Sequence, residues 1–272
     1  FWILLACLVL LAVSKTDWST PIHIAPLSDA ELVTMRPLVE PHSGFAGSDS
    51  CLECHEDQHR SWHASWHHTM TQEATLENIL GDFNVTNLTF ADTDGAITLF
   101  KRDGRAWFRP DYSLDHRNAT TKSREEYPIV MMTGSHNQQM YWYPIGDDST
   151  LAVIPLVYLI KDKRWIPRKA KFLKPSSREY DSETGRWNKV CLQCHSTGPW
   201  AKKHDKDVLD FGFDTQVSEL GISCENCHGR GQNHVTIYRN PESSEAKTLT
   251  DHIVHPAKLD HRLSSQICGA CH

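Results

Sequence analysis

Two cysteines separated by two residues and followed at once by a histidine occur four times in this chain, and no other feature constrains the fold as strongly. The four sets are Cys51/Cys54/His55, Cys191/Cys194/His195, Cys224/Cys227/His228 and Cys268/Cys271/His272. With 17 histidines in 272 residues, chance placement behind four cysteine pairs has a probability on the order of 10⁻⁵. The repetition therefore indicates one chemical requirement that is met four times.

This spacing is the attachment pattern of haem c. The two thiols add to two vinyl groups on one edge of the porphyrin, and the adjacent imidazole then reaches the iron as its proximal ligand. Four-thiolate zinc sites and dithiol or disulfide chemistry are alternatives, but neither requires a histidine at the same offset each time. The sequence predicts four haem c groups, attached through the eight motif cysteines and bound at iron by His55, His195, His228 and His272.

The amino-terminal residues 1–13 are apolar, and polar residues 14–17 follow them directly. This pattern is typical of the apolar region of a signal peptide whose basic start is missing, with an uncleaved anchor as the alternative. Export agrees with covalent haem attachment, which in bacteria takes place outside the cytoplasmic membrane. We expect residues 1–16 to be a signal peptide or membrane anchor, and the protein to be periplasmic or otherwise extracytoplasmic.

The remaining chain is expected to comprise a linker over residues 17–43 and a multihaem domain over residues 44–272. The second motif begins 140 residues after the first, and short alternating runs in this interval predict a β-rich insert at about residues 84–170. Asp103-Gly104 is a hairpin signal, and Pro155 argues against an uninterrupted strand. The predicted fold class is mainly α, with irregular loops around stacked haems and a small antiparallel β insert between the first and second motifs.

The pattern is helical from residue 56 to about residue 80. His55, just before this segment, and His59, His63 and His67 within it recur every four residues, which would place them along one helix face. A residue on the same straight helix cannot reach around to the opposite face of the haem held by His55. His63 or His67, if it is a ligand, is therefore expected to bind a neighbouring haem.

A haem that only relays electrons usually has both axial positions filled, so some of the remaining histidines are expected to be distal ligands. His67 and His234 are candidates because each is placed to bind a neighbouring iron. His136 is a candidate because it lies in a loop between two strand-like runs. His255 is a weaker candidate for the fourth iron.

Several segments resemble multihaem cytochromes c of the cytochrome c-554 type, the tetrahaem family of nitrifying bacteria that accepts electrons from hydroxylamine oxidoreductase. They are residues 45–48, 62–67, 133–136, 139–142, 221–229 and 234–235. The resemblance covers residues 44–272 and implies that His67, His136 and His234 are distal ligands. The long first interval departs from a compact member of the family, and a proximal ligand at the last residue, His272, predicts a fragment of a longer protein.

The formal net charge of −6 and the lack of a basic patch argue against a nucleic-acid partner. The preferred interpretation is an exported electron carrier that exchanges electrons with redox partner proteins and has no catalytic residues. The alternative is a multihaem oxidoreductase that acts on a small nitrogen or sulfur compound at one open-coordinate haem. A third interpretation is a haem protein in which the haems serve as scaffold or sensor.

Overall fold

The computed structural model describes residues 28–90, 95–112, 125–146, 148–172, 185–207 and 210–272. The predicted signal peptide or anchor, residues 1–16, lies outside the described residues, and so does the first part of the predicted linker. In the part of the chain that the structure describes, no helix combines the length and the apolar character needed to cross a membrane.

Short helices carry the four cysteine motifs, and each begins or ends close to a motif residue. The α-helices are α1 (Asp29–Thr34), α2 (Asp49–Leu52), α3 (Glu56–His63), α4 (Trp66–Thr69), α5 (Arg168–Phe172), α6 (Leu192–His195), α7 (Cys224–His228), α8 (Gln232–Arg239) and α9 (His261–Cys268). A π-helix precedes α6 (Trp187–Cys191), and two 3₁₀ turns lie between α8 and α9 (Ala246–Thr248 and Pro256–Lys258).

Strands occupy most of the chain between the first and second motifs and recur between the second and third. They are β1 (Leu38–Val39), β2 (Thr71–Glu73), β3 (Val85–Leu88), β4 (Ile97–Arg102), β5 (Arg105–Pro110), β6 (Tyr127–Pro128), β7 (Met131–Thr133), β8 (Gln138–Pro144), β9 (Leu151–Val153), β10 (Leu156–Leu159), β11 (Arg164–Pro167), β12 (Ser196–Thr197), β13 (Trp200–Asp207), β14 (Asp210–Val217) and β15 (Glu219–Leu220).

The described strands form four sheets. The largest has the order β11-β10-β8-β7-β2, with β9 also paired to β8, and a second sheet has the order β3-β4-β5-β6. A third sheet, β1-β14-β13, contains the parallel pair β1 and β14, and β12 pairs antiparallel with β15. Strands β12 to β15 of these last two sheets lie between the second motif and the third.

Two local signals explain where strands in the first two sheets begin and end. Asp103 and Gly104 have φ values of 49° and 71°, and Arg102 pairs with Arg105 across this two-residue turn. Such a left-handed turn matches the twist of a hairpin. Pro155 separates β9 from β10, because proline has no amide hydrogen to donate within a sheet.

Strand β8 is buried on both faces and divides the apolar core in two. Tyr141 and Tyr143 belong to one cluster, while Met140 and Trp142 belong to the other, as the alternation of side chains along a strand requires. The first cluster includes side chains of the second sheet (Ile97, Leu99, Ala106 and Phe108). The second includes Trp187, Leu192 and Val217, so the sheet supports the helix that carries the second motif.

The prediction of a mainly α fold with a small β insert is wrong, because the described chain is a mixed α/β structure with several sheets. The strands β2 to β11 form two packed sheets with their own apolar core. Strand β13 was missed because its sequence is largely polar. Strand β14 was missed although Phe211, Phe213 and Val217 lie at alternate positions of its sequence, and the two strands pair along most of their length.

The single helix predicted over residues 56–80 is also wrong. Helix α3 ends at His63, and Ser65 caps the new helix α4 by accepting a hydrogen bond from the His68 amide. The chain then enters strand β2 at Thr71. His67 therefore lies on a different helix from His59 and His63, and its direction is independent of theirs.

Leu99 is fully buried in the first core cluster, so Leu99→Ala should lower the free energy of unfolding of the haem-loaded protein by about 2–5 kcal/mol. Chemical denaturation measures this change. Leu38→Ala removes a side chain that is 49% exposed and should change the free energy by no more than about 0.5 kcal/mol. Equal losses in the two variants would contradict the assignment of this core.

Candidate haem sites

Each cysteine motif is wound into about one turn of helix, which places its two cysteines and its histidine on adjacent positions of one surface. The amide of His55 donates to the carbonyl of Cys51 at 2.9 Å, and the amide of His272 donates to the carbonyl of Cys268 at 3.0 Å. Residues three and four apart in such a turn are neighbours. This is the arrangement in which two thiols and one imidazole can reach the same porphyrin.

The buried carboxylate of Glu225, inside the third motif, joins three segments of the chain. Its Oε1 accepts hydrogen bonds from the amides of Ala46 at 2.9 Å and Gly231 at 2.6 Å, and its Oε2 accepts from the amide of Gly47 at 2.9 Å. Hydrogen bonds to an ionised acceptor are among the stronger ones in proteins. Glu225 thereby fixes the loop before the first motif and the start of α8 against the third motif.

Glu219 holds the same loop at a second point. Its carboxylate accepts from the amide of Ser48 at 3.0 Å and from the Ser48 hydroxyl at 2.6 Å. Burial raises the pKa of Glu219, although its hydrogen bonds to Ser48 and Ser223 oppose this effect. Neither glutamate belongs to a pattern that the sequence would mark as functional.

The motif cysteines are neighbours across motifs, in an order that differs from their order in the sequence. The side chains of Cys51 and Cys224 are hydrogen-bonded, which connects the first and third motifs. The side chains of Cys194 and Cys271 are also hydrogen-bonded, and Cys227 lies close to Cys268. The attachment sites are therefore adjacent in the order first, third, fourth, second.

Cys54, the second cysteine of the first motif, differs from these residues. Its side chain is exposed, and its amide donates to the carbonyl of Cys51 at 3.3 Å. The sulfur contacts found between motifs in the described part of the chain do not include Cys54. The structure therefore places Cys54 within the motif turn beside Cys51 but does not bring it to another motif, and its thioether bond to the first haem stays a prediction.

The environment of several motif residues favours their neutral forms. Burial raises the pKa of the Cys191 thiol to about 11, and burial raises the pKa of Cys227, with a further contribution from Cys268. The hydrogen bond to Cys224 raises the pKa of Cys51, and burial adds to this effect. Burial lowers the pKa of His195, so its imidazole is neutral at pH 7, the form that binds a metal.

Three of the four histidines predicted to be proximal ligands have a second imidazole nearby. The ring centres of His55 and His234 are 6.3 Å apart, those of His272 and His67 are 6.4 Å apart, and those of His228 and His255 are 6.5 Å apart.

These separations agree with coordination of two imidazoles to one iron. Metal–nitrogen bonds of ~2 Å and a distance of ~1.1 Å from each nitrogen to its ring centre place two such rings about 6.2 Å apart. The two rings of each pair also come from different parts of the chain. The residues present therefore fit a haem at each of these three positions.

The second ring nitrogen is engaged in two of these histidines, which fixes the orientation of the rings. His228 donates from Nδ1 to the carbonyl oxygen of Val254 at 2.8 Å, and His234 donates from Nδ1 to Oδ2 of Asp251 at 3.0 Å. Such contacts orient a metal-binding imidazole and adjust its basicity. In both residues Nε2 would then be the nitrogen that binds the iron.

An apolar pocket adjoins the third and fourth motifs. It is lined by Cys227 together with Val254 and by side chains of the last helix and the turn before it (Leu259, Leu263, Gln266 and Ile267). Most of these side chains are apolar, as the surroundings of a porphyrin face should be. The pocket therefore agrees with a haem attached beside these residues.

His195 and His136 have different surroundings. Among the side chains that the structure describes, no second imidazole lies at 6.3–6.5 Å from His195, and its buried Nδ1 has no hydrogen-bond partner among them. His136 stacks on Trp66, with ring centres 3.5 Å apart and an interplanar angle of 9°. A distal role for His136 remains a prediction, and so does the distal ligand of the haem at His195.

Sequence reasoning placed His67 and His234 among its preferred distal candidates and His255 among the weaker ones. It missed Asp251, Glu219 and Glu225, which act on other residues of the sites through hydrogen bonds. The contacts of Glu219 and Glu225 with residues 46–48 join segments that are far apart in the sequence, and Asp251 lies in an irregular loop, so no periodicity identifies these residues. The one signal in the sequence was the short separation of 17 residues between His234 and Asp251.

Because burial raises the pKa of Glu219, ionisation of this carboxyl costs folding free energy. The contribution of protonated Glu219 is fully present below its unfolded pKa and is lost as the pH rises through the raised folded pKa. The wild-type protein should therefore lose stability relative to Glu219→Gln, which cannot ionise, as the pH rises above about 4.5, the usual pKa of a glutamate carboxyl. Urea denaturation across this range measures the difference.

Glu242→Gln is the control for this experiment, because the Glu242 side chain is 92% exposed and has no part in the site. Its stability relative to the wild type should vary much less with pH over the same range. A constant difference between the wild type and Glu219→Gln would contradict the predicted cost of ionisation.

A comparison with protein families finds a match in the part of the chain that carries two of the motifs. Residues 161–229, which contain the second and third motifs, match the sequence profile of the family described as cytochrome c554 and c-prime. This match confirms the family resemblance and implies haem c as the cofactor, while the number of haems stays a prediction. A search of the curated proteins finds no match.

Two solved structures are similar to this chain at low sequence identity. The outer cell wall cytochrome OcwA is 17% identical, with a TM-score of 0.46, and the match covers 84% of this chain and 37% of that one. The undecahaem cytochrome from the S-layer of Carboxydothermus ferrireducens is 18% identical, with a TM-score of 0.42, and the match covers 87% of this chain and 26% of that one. This chain thus spans well under half the length of either protein.

Proposed function

We propose that this chain, a multihaem c-type cytochrome whose residues 161–229 match the cytochrome c554 and c-prime family, carries electrons between redox proteins through four covalently bound haems. Haem c supplies one-electron chemistry at its iron, which alternates between the ferric and ferrous states. The observation that carries the proposal is the set of three histidine pairs at 6.3–6.5 Å.

Two imidazoles on one iron favour electron transfer over catalysis. With both axial positions filled, the iron changes its oxidation state with little rearrangement and offers no position to a substrate. We assign His55 with His234, His272 with His67, and His228 with His255 as these axial pairs. The cysteines of each motif hold the porphyrin, and the histidine pair fixes its position on both faces.

The adjacency of the attachment sites supports exchange of electrons among the haems. Contacts between Cys51 and Cys224, between Cys227 and Cys268, and between Cys271 and Cys194 connect all four motifs. Electron exchange requires that haem edges approach closely, and the protein contributes this by positioning its cofactors. The proposed array is therefore continuous from the first motif to the second through the third and the fourth.

The proposed location is extracytoplasmic, and the proposed partners are redox proteins that donate and accept electrons at the surface. The apolar residues 1–13 support export, with an anchor in the membrane as the alternative outcome for this segment. The formal net charge of −6 supports protein partners and no nucleic acid.

The environment of His195 favours a second candidate function, an oxidoreductase that binds a small nitrogen or sulfur compound at one iron. Among the described side chains, His195 has no facing imidazole at the distance found for the other three. An iron with one exchangeable position could bind such a compound. The two candidate functions therefore differ in the coordination of one haem only.

Carbon monoxide binding to the fully reduced, haem-loaded protein separates these functions. An electron carrier whose four irons all have two axial ligands should bind no carbon monoxide. The oxidoreductase should bind one per chain, at the iron of His195, because the three histidine pairs block the other irons. His234→Ala opens the iron of His55 and should add one more binding site, measured by optical titration against haem content from mass spectrometry. Mass spectrometry should also find four haems per chain.

His261→Ala is the control, because His261 is exposed at the start of α9 and faces no proximal histidine. It should bind the same amount of carbon monoxide as the wild type. Binding of two or more molecules by the wild type, or an unchanged count in His234→Ala, would contradict the proposed axial pairs.

A further inference from the structure

The carboxylate of Asp251 contacts Nδ1 of His234, which leaves Nε2 of that ring for the iron. Oδ2 of Asp251 accepts from Nδ1 of His234 at 3.0 Å. The other oxygen, Oδ1, accepts from the amide of Ile253 at 3.0 Å. The carboxylate is therefore held by its own backbone turn and by the imidazole at once.

The neighbouring segment is also anchored. The amide of Val254 donates to the carbonyl of His228 at 2.8 Å, and Asn233 donates from its side chain to the carbonyl of Thr250 at 3.2 Å. These contacts fix residues 250–254 against both the third motif and α8. Because the segment is held at both ends, the position of Asp251 relative to His234 does not depend on one hydrogen bond alone.

The two axial histidines with a recorded Nδ1 contact have acceptors of different charge. His228 donates to a neutral backbone carbonyl, whereas His234 donates to a carboxylate. An ionised acceptor draws the Nδ1 proton more strongly, which makes the opposite nitrogen a stronger electron donor. A stronger axial donor stabilises ferric iron over ferrous iron and lowers the reduction potential.

We propose that Asp251 is a positioning residue that sets the reduction potential of the haem bound by His55 and His234, and makes it lower than that of the haem bound by His228 and His255. The proposal rests on the axial pairs assigned above. In the cysteine contacts described, the first motif adjoins only the third, so the haem of the first motif lies at one end of the proposed array. The haem with the low reduction potential is therefore a terminal one. Asp251 thereby biases an electron in the array away from the first haem.

The ring geometry allows this haem to be recognised in a spectrum. The planes of His55 and His234 differ by 25°, whereas the angle is 72° for His67 and His272 and 84° for His228 and His255. Near-parallel ligand planes give ferric low-spin iron a rhombic electron paramagnetic resonance signal, and near-perpendicular planes give a highly anisotropic one. Among the three haems with an assigned histidine pair, the rhombic signal therefore belongs to the haem of His55.

The test is a potentiometric titration of the haem-loaded protein monitored by electron paramagnetic resonance. In the wild type, the rhombic signal should have a lower midpoint than the signal of the His228 haem. Asp251→Asn, which keeps an acceptor oxygen but removes the charge, should favour reduction of the rhombic haem about tenfold, a rise of about 59 mV for one electron. Asp251→Glu retains the charge and should restore most of the wild-type midpoint.

Glu242→Gln removes one negative charge from the exposed surface of the same region and should leave the midpoint of the rhombic haem unchanged. An unchanged or lowered midpoint in Asp251→Asn, or an equal rise in Glu242→Gln, would overturn the role of Asp251 while leaving the axial pairs intact. Absence of any rhombic low-spin signal from the wild type would instead overturn the His55 and His234 pair, and with it the proposal.

Discussion

The proposed haem sites depend on a distance, the separation at which two imidazoles could bind one iron from opposite sides. His55 meets His234, His272 meets His67, and His228 meets His255 at nearly the same spacing, although the first two pairs join residues far apart in the sequence. To keep this spacing, the two chain segments that carry the histidines of each pair must be held in fixed positions relative to each other. The loops and short helices around the motifs therefore need precise anchoring.

Two carboxylates, one buried and one half-buried, and the β-sheets supply this anchoring. Glu225 and Glu219 accept backbone hydrogen bonds that fix residues 46–48 beside the third motif. At the second motif, Leu192 packs in the same core as Trp142 of the largest sheet. The sheets thus form a rigid support for a region whose helices have at most eight residues and bury few apolar side chains of their own.

The sequence predicted the cofactor because attachment chemistry requires fixed residue types at fixed offsets. It also predicted the hairpin at Asp103-Gly104 and the break at Pro155, where single residues restrict the backbone. The prediction failed for the fold class, since β13 is a polar strand and the alternation in the sequence of β14 was overlooked. It also failed for residues 56–80, where Ser65 starts a new helix. Contacts such as Asp251 with His234 depend on tertiary structure or on an irregular loop, and no local pattern marks them.

The central claim is that the haems are arranged in the order first, third, fourth, second. The haems of the first, third and fourth motifs are each held between one of the three histidine pairs described. Anomalous diffraction at the iron absorption edge, from crystals of the haem-loaded protein, locates every iron directly. The account predicts four iron peaks, with the iron of His55 nearest to that of His228, and the iron of His272 between those of His228 and His195. An iron of His55 whose nearest neighbour is that of His195, or an iron lying outside its histidine pair, would contradict it.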